Sequence, residues 1–187
     1  MNRQTFLALH PSIATERVVL RPFLADDVYD FYAYAADPVF QRVGGLRPMR
    51  GFQQAQIEVA TFYNLQRMGR MLPLAILEQN VKHHETAMIG HVFLQFIDWR
   101  ERQAEILFGV HPERWGCGLA TEAVRAVVGY AFGELELRSL TAACHADNQR
   151  SRRVLARVGF ELVSAGVNGI DLYRLGAVVP QTVGHSA

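Results

Sequence analysis

The ten residues RWGCGLATEA, Arg114 to Ala123, place two glycines around a cysteine directly before a run with helical periodicity. Apolar residues recur in this run at i, i+3, i+4, i+7, i+8 and i+11, and they are Ala120, Ala123, Val124, Val127, Val128 and Ala131. This spacing puts them on one face of a helix. The sequence therefore predicts a glycine-containing loop that leads directly into an amphipathic helix.

Glycines before a helix let a ligand approach the backbone N–H groups of the first turn, which lack partners within the helix and carry partial positive charge. A phosphate group is the expected occupant of such a loop. The stretch is not GxGxxG, since Ala120 and Thr121 stand where a third glycine would come, and it is not GxxxxGK[ST]. A dinucleotide or a nucleoside triphosphate is therefore disfavoured. Taken alone, Gly-x-Gly before a helix is more often a tight turn than a ligand loop.

The rest of the chain alternates strand-like and helix-like segments. The predicted strands are Arg17 to Phe23, Met71 to Gln79, Ala87 to Asp98, Ala104 to Val110 and Glu136 to Cys144, and a closing hairpin turns at Asn168-Gly169. The other predicted helices are Ala25 to Asp37, stopped by Pro38, Phe52 to Met68, and Asp147 to Val158, with Asp147 or Asn148 as the N-cap. The polar turns NVKHHET and WRERQ indicate an antiparallel meander. We expect one α+β domain over residues 1–187, with a mixed, mostly antiparallel sheet of six to seven strands, about four helices, and a loose tail at 176–187.

Composition excludes several classes of partner. The 187 residues include 19 Lys and Arg against 18 Asp and Glu, so the chain lacks the positive excess that attracts nucleic acids or anionic membranes. The two cysteines, Cys117 and Cys144, form no CxxC pair, which argues against a structural zinc site or a disulfide framework. With neither a signal-like nor a membrane-spanning apolar run, we expect a cytoplasmic protein that needs no metal.

The order of elements around the glycine loop resembles the GNAT superfamily of acyl-CoA-dependent N-acyltransferases. The elements are strand AEILFGV, loop HPERWGCG, helix LATEAVRAVVGYAF, a further strand, and helix DNQRSRRVLARVGF. Three features resemble the branch of this superfamily that includes the ribosomal-protein N-terminal acetyltransferases. They are TERVVLRPF, WGCGLATEA, and Asn148 with Ser151 ahead of VGFEL. The resemblance covers about residues 15 to 175. It implies the GNAT fold and acetyl-CoA as cosubstrate.

The resemblance also implies where coenzyme A binds. The pyrophosphate loop of the superfamily has the pattern Gln or Arg, x, x, Gly, x, Gly or Ala, and here it falls on Trp115, Gly116, Cys117, Gly118, Leu119 and Ala120. Trp115 departs from the usual first residue, but the backbone amides of about residues 116 to 121, including Thr121, are unaffected. The family's splayed strands would leave backbone groups of Phe108, Gly109 and Val110 for pantetheine, and Asn148 would add an amide.

Two residues are candidates for the chemistry. Glu105, near the start of its strand, is the candidate base for the incoming amine, and Glu101 and Asp98 are weaker substitutes. If Glu105 is not the base, it is an ordinary acidic residue at a strand edge.

Many members of the superfamily place a tyrosine four residues before Gly-Phe to protonate the thiolate, but this chain has Leu155 there. Ser151 is the candidate donor instead, unless its hydroxyl only bonds a backbone carbonyl, and Tyr173 is the reserve.

Several other residues have ordinary explanations beside functional ones. Some of Arg150, Arg152, Arg153 and Arg157 could reach the 3′-phosphate of coenzyme A, although most would form a solvated face. Cys117 at a helix start permits an acyl-cysteine route, which we consider minor. Cys144 and His145 are adjacent on a strand and cannot pair, and His83-His84 lies in a polar turn. The rings of Phe31, Tyr32 and Tyr34 are expected mainly in the core.

The resulting hypothesis is an acetyl-CoA-dependent N-acetyltransferase that transfers the acetyl group directly to a primary amine in a ternary complex. A protein N-terminal amine is the first choice of acceptor. The alternatives are a small amine, such as a polyamine, an amino-acid derivative or an aminoglycoside, and an acyl-CoA-binding regulator without turnover. We expect a monomer or a homodimer.

Overall fold

The structure is a computed structural model, and it describes residues 11–42, 46, 48–79 and 87–177. The strands are β1 Ile13–Ala14, β2 Val18–Pro22, β3 Met71–Glu78, β4 Met88–Asp98, β5 Gln103–Val110, β6 Ser139–His145, β7 Glu161–Val167 and β8 Ile170–Gly176. The α-helices are α1 Asp27–Ala35, α2 Pro38–Gln41, α3 Phe52–Arg67, α4 Leu119–Gly133 and α5 Gln149–Val158, and Pro112–Arg114 forms one 3₁₀ turn. The predicted turn NVKHHET, with His83-His84, and residues 178–187 lie outside the described residues.

The strands form one sheet in the order β1-β2-β3-β4-β5-β6-β8-β7. Every neighbouring pair is antiparallel except β5 and β6, which are parallel. The α+β class, the mixed sheet and the meander are therefore confirmed. The sheet has eight strands rather than six or seven, since it also includes β1, which is only two residues long and shows no alternation that a sequence pattern could reveal.

Pro38 both ends one helix and begins another. It stops α1 as predicted, but the Asp37 side chain then accepts hydrogen bonds from the N–H groups of Val39 and Phe40 and caps α2. Proline suits the first position of a helix because its missing N–H would have no partner there. This is the helix that the sequence prediction missed.

Helices cover both faces of the sheet. The predicted apolar face of α4 packs on one side against Leu20, Ile106 and Leu140, and all of its predicted residues except the half-buried Ala120 are buried. On the other side, α1 and α3 pack a second core around Phe31, Phe62 and Phe93. Apolar burial on both faces supplies the main stabilisation of the fold.

The aromatic cluster Phe31, Tyr32 and Tyr34 lies mainly in the second core, as expected. Phe31 and Tyr34 are fully buried, and the Tyr34 hydroxyl lies 2.7 Å from Nδ1 of His91 on β4. Burial lowers the pKa of His91 to about 3, which keeps its imidazole neutral. The buried pair fixes α1 against the sheet.

The pairing of β5 with its neighbours is uneven, and this positions the site. On one side β5 pairs with β4 as far as Val110. On the other side it pairs with β6 only at Gln103, Ala104 and Glu105, which lie opposite Ser139, Leu140 and Thr141. Both strands continue beyond this point, so their far ends separate and leave a gap within the sheet.

Two glycines allow close contacts beside this gap. A Cβ atom on Gly90 would lie 2.3 Å from the carbonyl oxygen of Gly109, and one on Gly109 would lie 2.7 Å from the Phe40 ring. Both distances are too short for any side chain, so these positions need glycine.

We predict that Gly90→Ala lowers the free energy of unfolding by at least about 2 kcal/mol, because the new methyl group meets rigid backbone. Gly129→Ala is the matched control. It lies in α4 with no atom within 4 Å of its added Cβ, so stability should be unchanged or higher by up to about 1 kcal/mol. Urea denaturation of the two variants measures the difference, and equal stabilities would contradict the close contact.

Candidate functional site

Two clefts meet at the open end of the gap between β5 and β6. The larger has a volume of about 690 Å³ and lies between α3, the sheet and the start of α5. The smaller, of about 160 Å³, lies between the glycine loop and α5. Phe108, Asn148 and Ser151 line both clefts, so a group bound at these residues is accessible from either side.

The glycine loop forms one wall of the smaller cleft. Gly116 has φ 81° and Gly118 has φ 83°, in the left-handed region that favours glycine. Gly118 is the N-cap of α4 and offers no side-chain cap, so the first N–H groups of the helix stay available. Six residues of the predicted loop line this cleft, and they are Trp115, Gly116, Gly118, Leu119, Ala120 and Thr121.

Cys117 is the exception within the loop. Its side chain is exposed, its thiol lies 3.7 Å from the carbonyl oxygen of Trp115, and Cys117 is not among the residues that line the smaller cleft. This placement does not favour the acyl-cysteine route. The backbone of Cys117 still belongs to the loop.

Trp115 joins the loop to the end of β5. Its indole N–H donates to the carbonyl oxygen of Val110 at 2.7 Å, and the Arg150 guanidinium lies 4.5 Å from its ring centroid. A cation over an aromatic face is attractive. Trp115 therefore connects the loop, β5 and α5, the three elements around the smaller cleft.

The backbone of β5 presents only some of its groups to the gap. Hydrogen-bonding groups of successive residues point to opposite edges of a strand. The N–H of His111 bonds the carbonyl of Ile89 on the β4 side, and this alternation turns Gly109 toward β4 and turns Phe108 and Val110 toward the gap. Since the Trp115 indole N–H already donates to the Val110 carbonyl oxygen, the groups left facing the gap are the N–H and C=O of Phe108 and the N–H of Val110.

Asn148 caps α5 at the junction of the clefts. Its side-chain oxygen accepts from the Ser151 N–H at 3.1 Å, and its amide donates to the Ser151 hydroxyl at 3.0 Å. Of the two predicted N-caps, the structure selects Asn148. Because an oxygen that accepts a hydrogen bond keeps its own proton, Ser151 can still donate from this position.

Glu105 lies on the wall of the larger cleft. Gln95 is directly opposite on β4 and donates its side-chain amide to the Glu105 carboxylate at 2.7 Å. The two substitutes are placed differently. Asp98 accepts from the backbone N–H groups of Arg100 and Glu101 in the β4–β5 turn, where Glu101 is also exposed.

Tyr173 points into the core on the α5 side of the sheet. Its hydroxyl accepts from Arg152 at 3.2 Å and lies 3.4 Å from the buried Asp171. Burial raises the pKa of Tyr173. These contacts give it a structural role, and they also place Arg152 apart from the other arginines of α5.

Several residues of the larger cleft were not predicted from the sequence. On α3 the cleft is lined by Ile57, Glu58, Thr61, Phe62 and Leu65, and on β4 by Phe93, Gln95 and Phe96. The i, i+4, i+8 spacing of Ile57, Thr61 and Leu65 was the available signal. Cys144 also lines this cleft, and burial raises the pKa of its thiol to about 11.

Within the described ranges, His, Cys, Asp and Glu side chains form no cluster of three or more suited to a metal ion. None of the helices in these ranges combines the length and the apolar character that a membrane crossing requires.

The sequence and the fold were compared with known proteins. A family profile described as Acetyltransferase (GNAT) domain matches residues 17–161. Among curated proteins, the uncharacterized N-acetyltransferase YoaA of Bacillus subtilis (strain 168) is 29% identical over 153 residues, which cover 82% of this chain and 84% of YoaA.

Solved structures share the fold. RimL, a ribosomal L7/L12 alpha-N-protein acetyltransferase, has a TM-score of 0.77 at 18% identity, with 90% of this chain and 95% of RimL covered. Mycobacterium smegmatis RimJ, solved in complex with CoA-disulfide, has a TM-score of 0.70 at 24% identity, with 88% of this chain and 84% of RimJ covered. The profile match over most of its length shows that the chain belongs to the GNAT family of acetyltransferases.

Proposed function

We propose that this acetyltransferase uses acetyl-CoA to acetylate a primary amine directly, and that the amine is the N-terminus of a protein. The observation that carries the proposal is the meeting of two clefts at Phe108, Asn148 and Ser151. One cleft has the features of a coenzyme A site, and the other has room for an acceptor. Direct transfer needs this arrangement, in which both substrates reach one point from different sides.

The smaller cleft would hold coenzyme A. Its pyrophosphate would accept hydrogen bonds from the free amides at the start of α4, in a favourable helix-dipole field. The backbone groups of Phe108 and Val110 that face the gap would bond the pantetheine arm. Arg150, Arg153 and Arg157 line the same cleft and supply positive charge for the phosphates, whereas Arg152 is engaged with Asp171 and Tyr173.

The pantetheine arm would bring the thioester to the junction of the clefts. The amine nitrogen attacks the carbonyl carbon, a C–N bond forms, and a backbone N–H at Phe108 or Val110 stabilises the oxyanion. The C–S bond then breaks. Glu105 accepts the proton that the amine loses, directly or through water, and Ser151 donates a proton to the departing thiolate.

The larger cleft would hold the acceptor. Its walls are mostly apolar, and its charged lining residues are Glu58, Glu105 and Arg70. Two carboxylates against one guanidinium favour a single ammonium group over a polycation. The structural likeness to RimL, a ribosomal L7/L12 alpha-N-protein acetyltransferase, supports a protein N-terminus, which the enzyme would meet in the cytoplasm.

A coenzyme A release assay tests this proposal. We expect acetyl-CoA to release free coenzyme A when the enzyme is supplied with short peptides that have a free N-terminal amine. The same peptides with a blocked N-terminus are the matched controls. Faster turnover with polyamines, amino acids or aminoglycosides would overturn the choice of acceptor. Tight acetyl-CoA binding without turnover on any amine would indicate an acyl-CoA-binding regulator instead.

The chemical roles predict a contrast between two variants. Glu105→Gln should lower kcat/KM by about 10²- to 10⁴-fold at neutral pH, with partial recovery at high pH, because more of the amine is then already deprotonated. Ser151→Ala should lower kcat with no recovery at high pH, since alkaline solution supplies no acid. In both variants the affinity for acetyl-CoA should change little.

Cys117→Ala is the control for this pair, because its backbone N–H is retained, and it should keep most of the activity. A Glu105→Gln enzyme with wild-type rates across the pH range would remove Glu105 from the mechanism. Recovery of Ser151→Ala at high pH would remove the proton-donor role of Ser151.

A further inference from the structure

The TER motif at Thr15 to Arg17 has no part in the site described so far, yet it contacts the glycine loop. Glu122 lies in the first turn of α4, and its Oε1 accepts from the Thr15 hydroxyl at 2.6 Å and from the Arg17 N–H at 2.9 Å. Its Oε2 accepts from Arg17 Nε at 2.7 Å. A second branch of the same guanidinium donates to the carbonyl oxygen of Cys117 at 2.9 Å. Arg17 therefore links the helix and the loop that precedes it.

The bond to Cys117 determines the direction of the next amide. In a trans peptide the C=O and the following N–H point in opposite directions. Arg17 holds the Cys117 carbonyl on its own side, so the N–H of Gly118 is turned the other way. Gly118 lines the smaller cleft, so its N–H, turned away from Arg17, would be available to an anion there.

The loop needs such a restraint from outside. Gly116 and Gly118 allow many backbone conformations, and no side chain of the N-cap residue stabilises the start of α4. Arg17 supplies a planar fork that bonds carboxylate and carbonyl at once, which a lysine ammonium on one flexible stem would not reproduce.

The carboxylate of Glu122 lies close to the proposed pyrophosphate site, and Arg17 compensates its negative charge. Burial alone would raise its pKa, but the hydrogen bonds from Thr15 and Arg17 together lower the pKa of this carboxyl below its usual range. The carboxylate thus stays charged and holds Arg17 in place, while Arg17 offsets its repulsion toward a phosphate.

We propose that Arg17, anchored by Thr15 and Glu122, is a positioning residue that aims the Gly118 N–H at the pyrophosphate of the cosubstrate. This inference rests on the proposed function in taking coenzyme A as the ligand. Arg17 acts through the loop rather than by touching the reacting atoms.

The test compares Arg17→Lys with Arg102→Lys. Arg102 also forms an ion pair with a glutamate, Glu136, but it lies away from both clefts, so it is a matched control. We expect Arg17→Lys to weaken coenzyme A binding about tenfold by calorimetry, the cost of one misaligned charge-assisted hydrogen bond. The KM for acetyl-CoA should rise with it, while kcat at saturation stays within about twofold of wild type. Arg102→Lys should change neither.

Two truncated ligands show whether the loss of affinity in Arg17→Lys arises at the pyrophosphate. Dephospho-coenzyme A keeps the pyrophosphate, so Arg17→Lys should weaken its binding by the same factor. S-acetyl-pantetheine lacks the pyrophosphate, so its KM should be equal in wild type and variant. Should Arg17→Lys fail to fold, Glu122→Gln removes the charged anchor of Arg17 and serves in the same comparison.

Unchanged coenzyme A affinity in Arg17→Lys would overturn the proposal. An equal loss with S-acetyl-pantetheine would also overturn it by indicating general damage to the site, and a loss confined to ligands with the 3′-phosphate would show direct contact with that group instead. In each of these cases wild-type binding and turnover still support the proposed function. If the wild type binds no coenzyme A, the proposed function itself fails.

Discussion

The early end of pairing between β5 and β6 is the constraint on which the site depends. Beyond Glu105 and Thr141 the two strands continue without bonding to each other, although buried backbone groups normally need partners. The Trp115 indole satisfies the Val110 carbonyl, and Phe108 faces the gap. A sheet that paired to its end would have neither these open groups nor a passage between the clefts. The strand separation thus leaves backbone groups of β5 open and lets the two clefts meet at Phe108, Asn148 and Ser151.

The elements around the gap are held by contacts between distant parts of the chain. Gly90 leaves room for the backbone of Gly109 on β5, and Gly109 leaves room for the Phe40 ring of α2. Trp115 holds the loop to β5, and Arg17 holds it to the segment before β2. The loop itself contains two glycines, Gly116 and Gly118, which favour no single conformation. Its geometry is therefore set by its neighbours, and this explains how a glycine-rich segment can offer a preorganised set of amides.

Local features of the sequence predicted much of this structure. The spacing of Val124, Val127 and Val128 predicted α4, and Asn168-Gly169, with φ 52° and 75°, forms the predicted hairpin turn. These signals depend on periodicity or on one or two residues. The α2 helix was missed because a proline such as Pro38 can end one helix and also begin the next. Strand β1 was missed because two residues are too few to show an alternating pattern.

The individual residues that line the larger cleft and the contact that restrains the loop could not be predicted from the sequence for a different reason. Glu58 and Glu105 line the same cleft only because α3 packs across the sheet, and Arg17 meets Glu122 across 105 positions of the chain. Neither pairing follows from local spacing. Tyr173 shows the same limit, since its place on the last strand did not reveal that it faces the core.

A crystal structure of the protein with coenzyme A would show whether the cosubstrate lies in the gap between β5 and β6. The account predicts pyrophosphate oxygens within hydrogen-bond distance of backbone N–H groups in residues 116–121, with the pantetheine arm bonded to Phe108 or Val110. The sulfur atom should lie at the junction of the clefts, beside the Ser151 hydroxyl. Coenzyme A bound with its pyrophosphate away from the loop, or with its sulfur outside the gap between β5 and β6, would contradict the account.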